Sequence, residues 1–246
     1  MVKKTLLMLV LALVAAGGIF AQTGFASMPK NTVTVDVGPA IAGLAFGQMG
    51  NLMGNLMEDA PDFNSSGFGI AAQYERQLLS QLSAAARGAY LGVGLKGDDI
   101  MGAGVSGQLD LTTFSVEGHV RFYPFGQTFF LGVLAGYGNL AMDISGRIAV
   151  TGQPDETLSF NASRSYAKLG ARVGWRIDFG RPGGFVFEPS LGYDHAIGLG
   201  DTFGSKLQKE VVGDVDIGEV DDAFKILENY VFVGGPRVTL GFGWRF

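Results

Sequence analysis

The chain has 246 residues, of which 47% are hydrophobic and 17% charged, with a formal net charge of −5 and no cysteine. The length fits one or two domains with a sizeable core. Without cysteine there is no disulfide scaffold, Cys-based zinc site, thiol nucleophile or lipid-modified N-terminal Cys. The acidic balance argues against a nucleic-acid partner, and two histidines leave little for a His-rich metal centre. Glycine, at 39 residues, is more than twice as frequent as the usual ~7%. It follows no collagen triplet and sits among 11% aromatics, so neither collagen nor disorder fits.

Residues 1–21 read as a cleavable secretory signal peptide. Lys3 and Lys4 give a positive start, Leu6 to Ala16 is an unbroken apolar run of eleven residues, and Gly17-Gly18 ends it. Ile19-Phe20-Ala21 suits the cleavage enzyme, and Gly24-Phe25-Ala26 offers a second site as late as 26. Removal of this leader leaves 16 basic against 23 acidic residues. Residues 27–246 then form the second region. Every later apolar stretch is broken by glycine or charge, and the leader's own run falls short of the ~20 residues of a spanning helix. A mature chain that meets a membrane must therefore cross it as a closed β-barrel.

From residue 31 onward the dominant pattern is alternation of apolar and polar residues with period two, which predicts strands. Eight are expected: Thr32–Leu44, Gly67–Leu78, Ser83–Leu95, Leu109–Pro124, Thr128–Ala141, Arg164–Phe179, Phe185–Leu199 and Tyr230–Phe246. The last sets Val238, Leu240, Phe242, Trp244 and Phe246 against Arg237, Thr239, Gly241, Gly243 and Arg245. The sixth sets Ala167, Leu169, Ala171, Val173 and Trp175 against Lys168, Gly170, Arg172, Gly174 and Arg176. These segments exceed the ~5–6 residues usual in soluble sheets and reach the ~9–11 that cross a bilayer at a tilt. Glycine on the polar face suits a narrow lumen. Aromatics near the strand ends, among them Phe122, Tyr123, Phe130, Phe179, Phe185 and Trp244, suit a girdle at a lipid–water boundary. Short connections at Leu79–Leu82, Phe125–Gln127 and Gly180–Gly184 alternate with long ones at Ala45–Ser66, Lys96–Gln108, Met142–Ser163 and Gly200–Asn229. That asymmetry predicts an all-β fold, an eight-stranded antiparallel up-and-down transmembrane β-barrel, with both termini at the short-turn end.

The pattern over the mature chain, and the motif Arg237-Val-Thr-Leu-Gly-Phe-Gly-Trp-Arg-Phe246, resemble the small eight-stranded outer-membrane barrels, the OmpA-like and OmpW-like proteins. The resemblance implies a bacterial outer-membrane location and a structural, surface-exposed or narrow-pore role. It implies that Val238, Leu240, Phe242, Trp244 and Phe246 form the signal read by the barrel-assembly machinery. Outer-membrane lipid is the implied surrounding, and small solutes or extracellular ligands the implied partners. OmpW-like proteins pass small hydrophobic molecules through an apolar lumen, whereas this lumen is read as charged. Asp36, Glu75, Glu117, His119, Glu188 and Asp194 are expected there with Arg87, Arg121, Lys168, Arg172, Arg176, Arg237 and Arg245. Charges in such a space must be paired or hydrated. The network therefore either fills the barrel or lines a narrow path, and eight strands leave room for side chains or one small ligand.

Two other readings are weighed against this one. A soluble, lipocalin-like periplasmic barrel binding a small apolar ligand would present the opposite face of each strand to water. An outer-membrane lipid hydrolase or acyltransferase would need a nucleophile, and His195 near Ser205 is the one base in reach. Neighbouring strand residues point to opposite faces, so Asp194 cannot orient His195, and no enzyme activity is expected. No cofactor or metal is expected either. The string Gly92-Val-Gly94-Leu-Lys-Gly97 lacks the helix of a nucleotide site. The acids Asp214, Asp216 and Glu219 have no EF-hand spacing. Met49, Met53 and Met57 would share one face of a short helix, either as a small apolar lid on the barrel rim or as a flexible entry or adhesion surface.

Overall fold

A computed structural model describes residues 30–45, 48, 62–100, 105–125, 128–148, 156–179, 183–207 and 234–246. The leader, the methionine-rich segment from Met49 and the acidic stretch from 208 to 233 lie outside the described residues.

The strands are β1 (Asn31–Asp36), β2 (Asp62–Leu79), β3 (Leu82–Ile100), β4 (Val105–Phe122), β5 (Phe129–Ile148), β6 (Glu156–Trp175), β7 (Ile177–Phe179), β8 (Phe185–Leu199) and β9 (Gly235–Arg245). All pair antiparallel, in the order β6-β5-β4-β3-β2-β1-β9-β8-β7, and β6 also pairs with β8. Arg176 interrupts one continuous stave between β6 and β7, so the wall is a closed ring of eight. Its seam joins the two ends of the described chain. β1 pairs with β9 from Thr32↔Arg245 to Asp36↔Gly241, and Asn31 and Phe246 exchange two backbone hydrogen bonds of 2.9 Å.

The first stave differs from the expected Thr32–Leu44. The strand stops at Asp36, and residues 38–45 are helical. Asp36 itself supplies the reason. Its Oδ1 accepts from the backbone N–H of Gly38 at 2.8 Å and of Leu240 at 3.1 Å, an Asx-type turn that diverts the chain. Pro39 has no N–H for a ladder but fits a first helical turn. The helical segment lies on the inner face of β2. A Cβ on Gly67 would come within 2.0 Å of the Gly43 carbonyl oxygen, and one on Gly69 within 2.3 Å of that of Pro39. Only glycine on β2 leaves space for it.

β2 to β6 run further than expected on their long-loop side, whereas β8 keeps its expected bounds and β9 is described as strand from Gly235 rather than the expected Tyr230. Much of the anticipated Met142–Ser163 connection is strand, as β5 continues to Ile148 and β6 starts at Glu156. Along these extensions the alternation persists but changes sides. The outer face of β4 reads Phe122, Val120, Val116 and Phe114, then Thr112, Asp110 and Gln108. On β6 it reads Trp175, Val173, Leu169 and Ala167, then Ser165, Ser163 and Asn161. β5 changes at the same height, from Leu131, Val133 and Tyr137 to Asn139 and Asp143, because the register sets Asn139 opposite both Phe114 and Ser165. The polar outer section is cross-linked at its lower edge: Tyr137 and Asn139 both donate to Ser165 Oγ, at 2.6 and 3.4 Å.

The inner face changes oppositely. Below the transition it carries charge. Above it, Leu111, Leu140, Met142, Phe160, Ala162 and Tyr166 form an apolar cluster around Phe203. Phe203 arrives on a short helix, Phe203–Leu207, after the turn at Gly200, whose φ of +95° suits only glycine. Thr202 Oγ1 accepts from the Ser205 N–H at 3.1 Å and caps that helix.

Two residues expected in the aromatic girdle are interior instead. Tyr123 is 0% and Phe130 1% exposed. Both occupy inward positions in their staves, beside the lumenal arginines. The outward aromatics at the short-turn end include Phe122, Phe125, Trp175, Phe179, Phe185 and Trp244, and they pack in contacts such as Phe179–Phe185 at 5.6 Å between ring centres.

Ring closure depends on a bare backbone at the seam. A Cβ on inward-facing Gly243 would lie 1.9 Å from the Val33 carbonyl, whereas one on outward-facing Gly88 would meet nothing within 4 Å. Gly243→Val is expected to lose the compact, SDS-resistant band on unheated gels, since overpacking against rigid backbone costs at least ~1–3 kcal/mol. Gly88→Val is expected to retain the band.

Candidate functional site: a layered lumen

Three inner layers follow from the side-chain alternation. The lowest lies near the short turns. Arg121 of β4 donates to Glu75 of β2 at 2.5 Å, to Glu188 of β8 at 3.0 Å and to Gln73 at 2.9 Å. Arg176, at the break in its stave, donates to Glu75 at 2.7 Å and also to Glu188. Tyr123 donates its hydroxyl to the second Glu75 oxygen at 2.8 Å. Phe130 lies under the Arg121 guanidinium, with its ring centre 4.3 Å away. Two guanidinium groups and two carboxylates thus close on one another, with Gln73 and Tyr123 completing the set. This is the arrangement that buried charges require.

The middle layer centres on Glu117. One carboxylate oxygen accepts from Arg87 at 3.2 Å and Arg172 at 3.4 Å, with His119 Nε2 also at 3.2 Å. The other accepts from Lys168 at 2.5 Å and Ser115 at 3.3 Å. Arg87 also reaches Asp36 at 2.7 Å. Asp194 lies 3.3 Å from Lys168, 3.5 Å from Arg172 and 3.7 Å from Arg237. Lumenal glycines make room for these long side chains. A Cβ on Gly170 would approach Asp194 Oδ1 to 2.6 Å, and one on Gly192 would approach Arg172 Cγ to 2.6 Å.

Above this layer and below the apolar cluster lies a cavity of about 270 Å³. Its walls include Arg87, Lys168 and Arg172 on the strands and Pro39 and Ala42 on the helical segment, with Arg237 beside them.

The anticipated lumenal residues separate into groups. Asp36, Glu75, Arg87, Glu117, His119, Arg121, Lys168, Arg172, Arg176, Glu188 and Asp194 are buried in the two charged layers. Arg237 borders the middle one with its side chain 29% exposed. Arg245 stands apart at the lower rim, 3.2 Å from Asp178. The outer set is equally plain. Trp175 is 48%, Phe242 40% and Trp244 55% exposed, while Arg172 is 7% exposed. Val238 and Phe246 also face outward, and Leu240 is half-buried. Gln73, Tyr123, Phe130 and Asp178 were not anticipated as site residues. Gln73 and Tyr123 share the inward phase of Glu75 and Arg121, which is the signal that identifies them. The apolar cluster was also missed, because Met142, Phe160, Ala162 and Phe203 fall in segments read as loop.

Asp194 is buried in the lumen and His195 is exposed on the outer wall, so the two face opposite ways. Ser205 sits on the short helix bonded to Thr202. Gly92, Gly94 and Gly97 lie within β3 rather than ahead of a helix. Among the described residues no group of His, Asp and Glu is arranged to hold a metal, and Asp214, Asp216 and Glu219 lie outside them.

No family model and no curated protein matches the chain. Solved structures do. Ail, the attachment invasion locus protein of Yersinia pestis, solved in complex with the heparin analogue sucrose octasulfate, is similar at a TM-score of 0.45 and 13% identity over 89% of this chain and 99% of that one. CarO of Acinetobacter baumannii is similar at a TM-score of 0.41 and 14% identity over 91% of this chain and 100% of its own. At these values the likeness carries nothing about ligand or activity.

Glu117→Gln is expected to lower unfolding stability in detergent by ~3–5 kcal/mol, because it leaves three buried cations without their shared counter-charge. The urea midpoint measures this. Asp178→Asn is expected to cost less than this, because the Asp178 side chain is 40% exposed and faces the single buried cation Arg245.

Proposed function

We propose that the chain is an integral outer-membrane β-barrel of a bacterial envelope, a structural and surface-exposed protein with a filled lumen. The carrying observation is the change of sides along β4, β5 and β6. On β4 the outward apolar stretch from Phe114 to Phe122 covers nine residues. At a strand tilt of ~35–45° this makes a belt roughly 20–25 Å high, matching the apolar band of outer-membrane barrels. Below the transition the wall offers apolar groups outward and hides charge. Above it the wall is an ordinary water-soluble sheet, polar outside and apolar within. A soluble lipocalin-like barrel would keep one arrangement throughout.

In this reading the short turns and both termini face the periplasm, and the polar upper sheet and long connections face outward. Residues 1–21 serve as the export signal. The outward residues Val238, Leu240, Phe242, Trp244 and Phe246 of the last stave are the assembly signal. The two charged layers and the helical segment fill the cross-section, which eight staves leave barely wider than its side chains. The lumen therefore supports the wall rather than a current.

Two measurements test this. Val116→Arg, mid-belt, is expected to destabilise the barrel in lipid vesicles by ~2–4 kcal/mol, while Gln108→Arg on the same face above the belt stays within ~1 kcal/mol. Equal costs would remove the bilayer from the explanation. In planar bilayers the purified protein is expected to give no conductance steps. Regular steps would show that water threads both charged layers.

A further inference from the structure

The middle charged layer is less completely matched than the lower one. Four cations, Arg87, Lys168, Arg172 and Arg237, share the three carboxylates Asp36, Glu117 and Asp194. Of the three buried cations, Arg172 is the weakest served. Its contacts to Glu117 and Asp194 are long, at 3.4 and 3.5 Å, and its buried Nε has no hydrogen-bond partner. A buried guanidinium donor left unpaired carries a substantial desolvation cost. The carboxylates offer little further relief. Asp36 Oδ1 already accepts from the Gly38 and Leu240 backbones and Oδ2 from Arg87, while Asp194 Oδ1 is buried beside Gly170 without a hydrogen-bond partner and does not reach the Arg172 Nε. Arg172 lines the cavity of about 270 Å³, together with Arg87, Lys168, Asp194, Ser115 and Thr239.

We propose that this cavity is a binding pocket for a small singly charged oxyanion, held by Arg172 and flanked by Arg87, Lys168 and Arg237. The unpaired Arg172 Nε supplies a charge-assisted donor for an oxyanion oxygen. The volume takes a dihydrogen-phosphate or short carboxylate group with several waters. The bound charge neutralises the cationic edge that Glu117 and Asp194 only share. Because the lower layer closes the barrel beneath it, the pocket is a receptor site rather than a stage in a channel. The ligand's charge could be supplied by a free anion or by the phosphate of a lipid headgroup, and the two arms of the experiment separate these.

The test uses the full mature chain in neutral dodecyl maltoside, in gluconate buffer of constant ionic strength. One arm titrates inorganic phosphate and follows thermal unfolding and equilibrium dialysis. The other dopes the micelles with phosphatidylglycerol, with phosphatidylcholine as reference. Saturable binding of one phosphate per chain, weakened at least tenfold in Arg172→Met and unchanged in the rim variant Arg245→Gln, is the expected result. Stabilisation by phosphatidylglycerol alone, lost in Arg172→Met, assigns the same pocket to a headgroup. Arg237→Gln, at the more exposed edge, serves if Arg172→Met fails to give the SDS-resistant band, and it should weaken binding severalfold. No binding in either arm, or binding indifferent to whichever of the two variants folds, overturns the proposal. Either outcome is independent of the belt experiment on Val116.

Discussion

One constraint organises this molecule: each long stave must suit two solvents in succession. A strand presents its side chains alternately to two faces, and nothing in that geometry decides which face is wet. Here the decision is reversed partway along β4, β5 and β6. Below the transition the outer face is apolar, as the proposed bilayer requires, so charge lies inward and must find counter-charge. Above it the outer face is polar, and the inner face closes like any soluble core. The charged layers, the inward glycines and the apolar cluster around Phe203 are consequences of where that reversal falls.

Much of the fold was legible because period-two alternation is a strong signal over ten or more residues. Strands over 67–78, 83–95 and 185–199 lie inside observed elements, and the phase of each placed Glu75, Arg87 and Glu188 inward. The extensions escaped for a physical reason. A reader who holds apolar residues outward sees the pattern fail at Met142, where Asp143 and Ser145 take the outer face, and reads a loop. β1 was overextended for another reason. The sequence around Gly38 keeps its alternation, and only Asp36 capping the Gly38 and Leu240 amides shows that the strand ends there. Tyr123 and Phe130 were misplaced because an aromatic near a strand end suits either a lipid boundary or an arginine. Which of these it meets depends on phase at a turn, where phase is least certain.

The two charged layers differ in a way that pair counts in the sequence do not reveal. In the lower one, Glu75 and Glu188 each meet two guanidinium groups, and Tyr123 and Gln73 take up remaining valences. In the middle one, Glu117 is spread over several cations while Arg172 keeps an idle nitrogen. The first geometry is that of a rivet. The second has the unevenness found where a protein leaves room for something else.

The seam between first and last staves is the narrowest joint in the wall. It spans Thr32 to Asp36 against Gly241 to Arg245, whereas β5 and β6 are matched from Phe129 to Ile148. Neighbouring staves β2 to β6 can zip as successive hairpins, each closing a short stretch of chain. The seam instead unites residues more than 200 positions apart and so bears the largest loop-closure entropy for the fewest bonds. Maturation of this cylinder therefore finishes at the seam, and an incoming or departing barrel is a curled sheet whose two lips are Val33–Val35 and Phe242–Trp244.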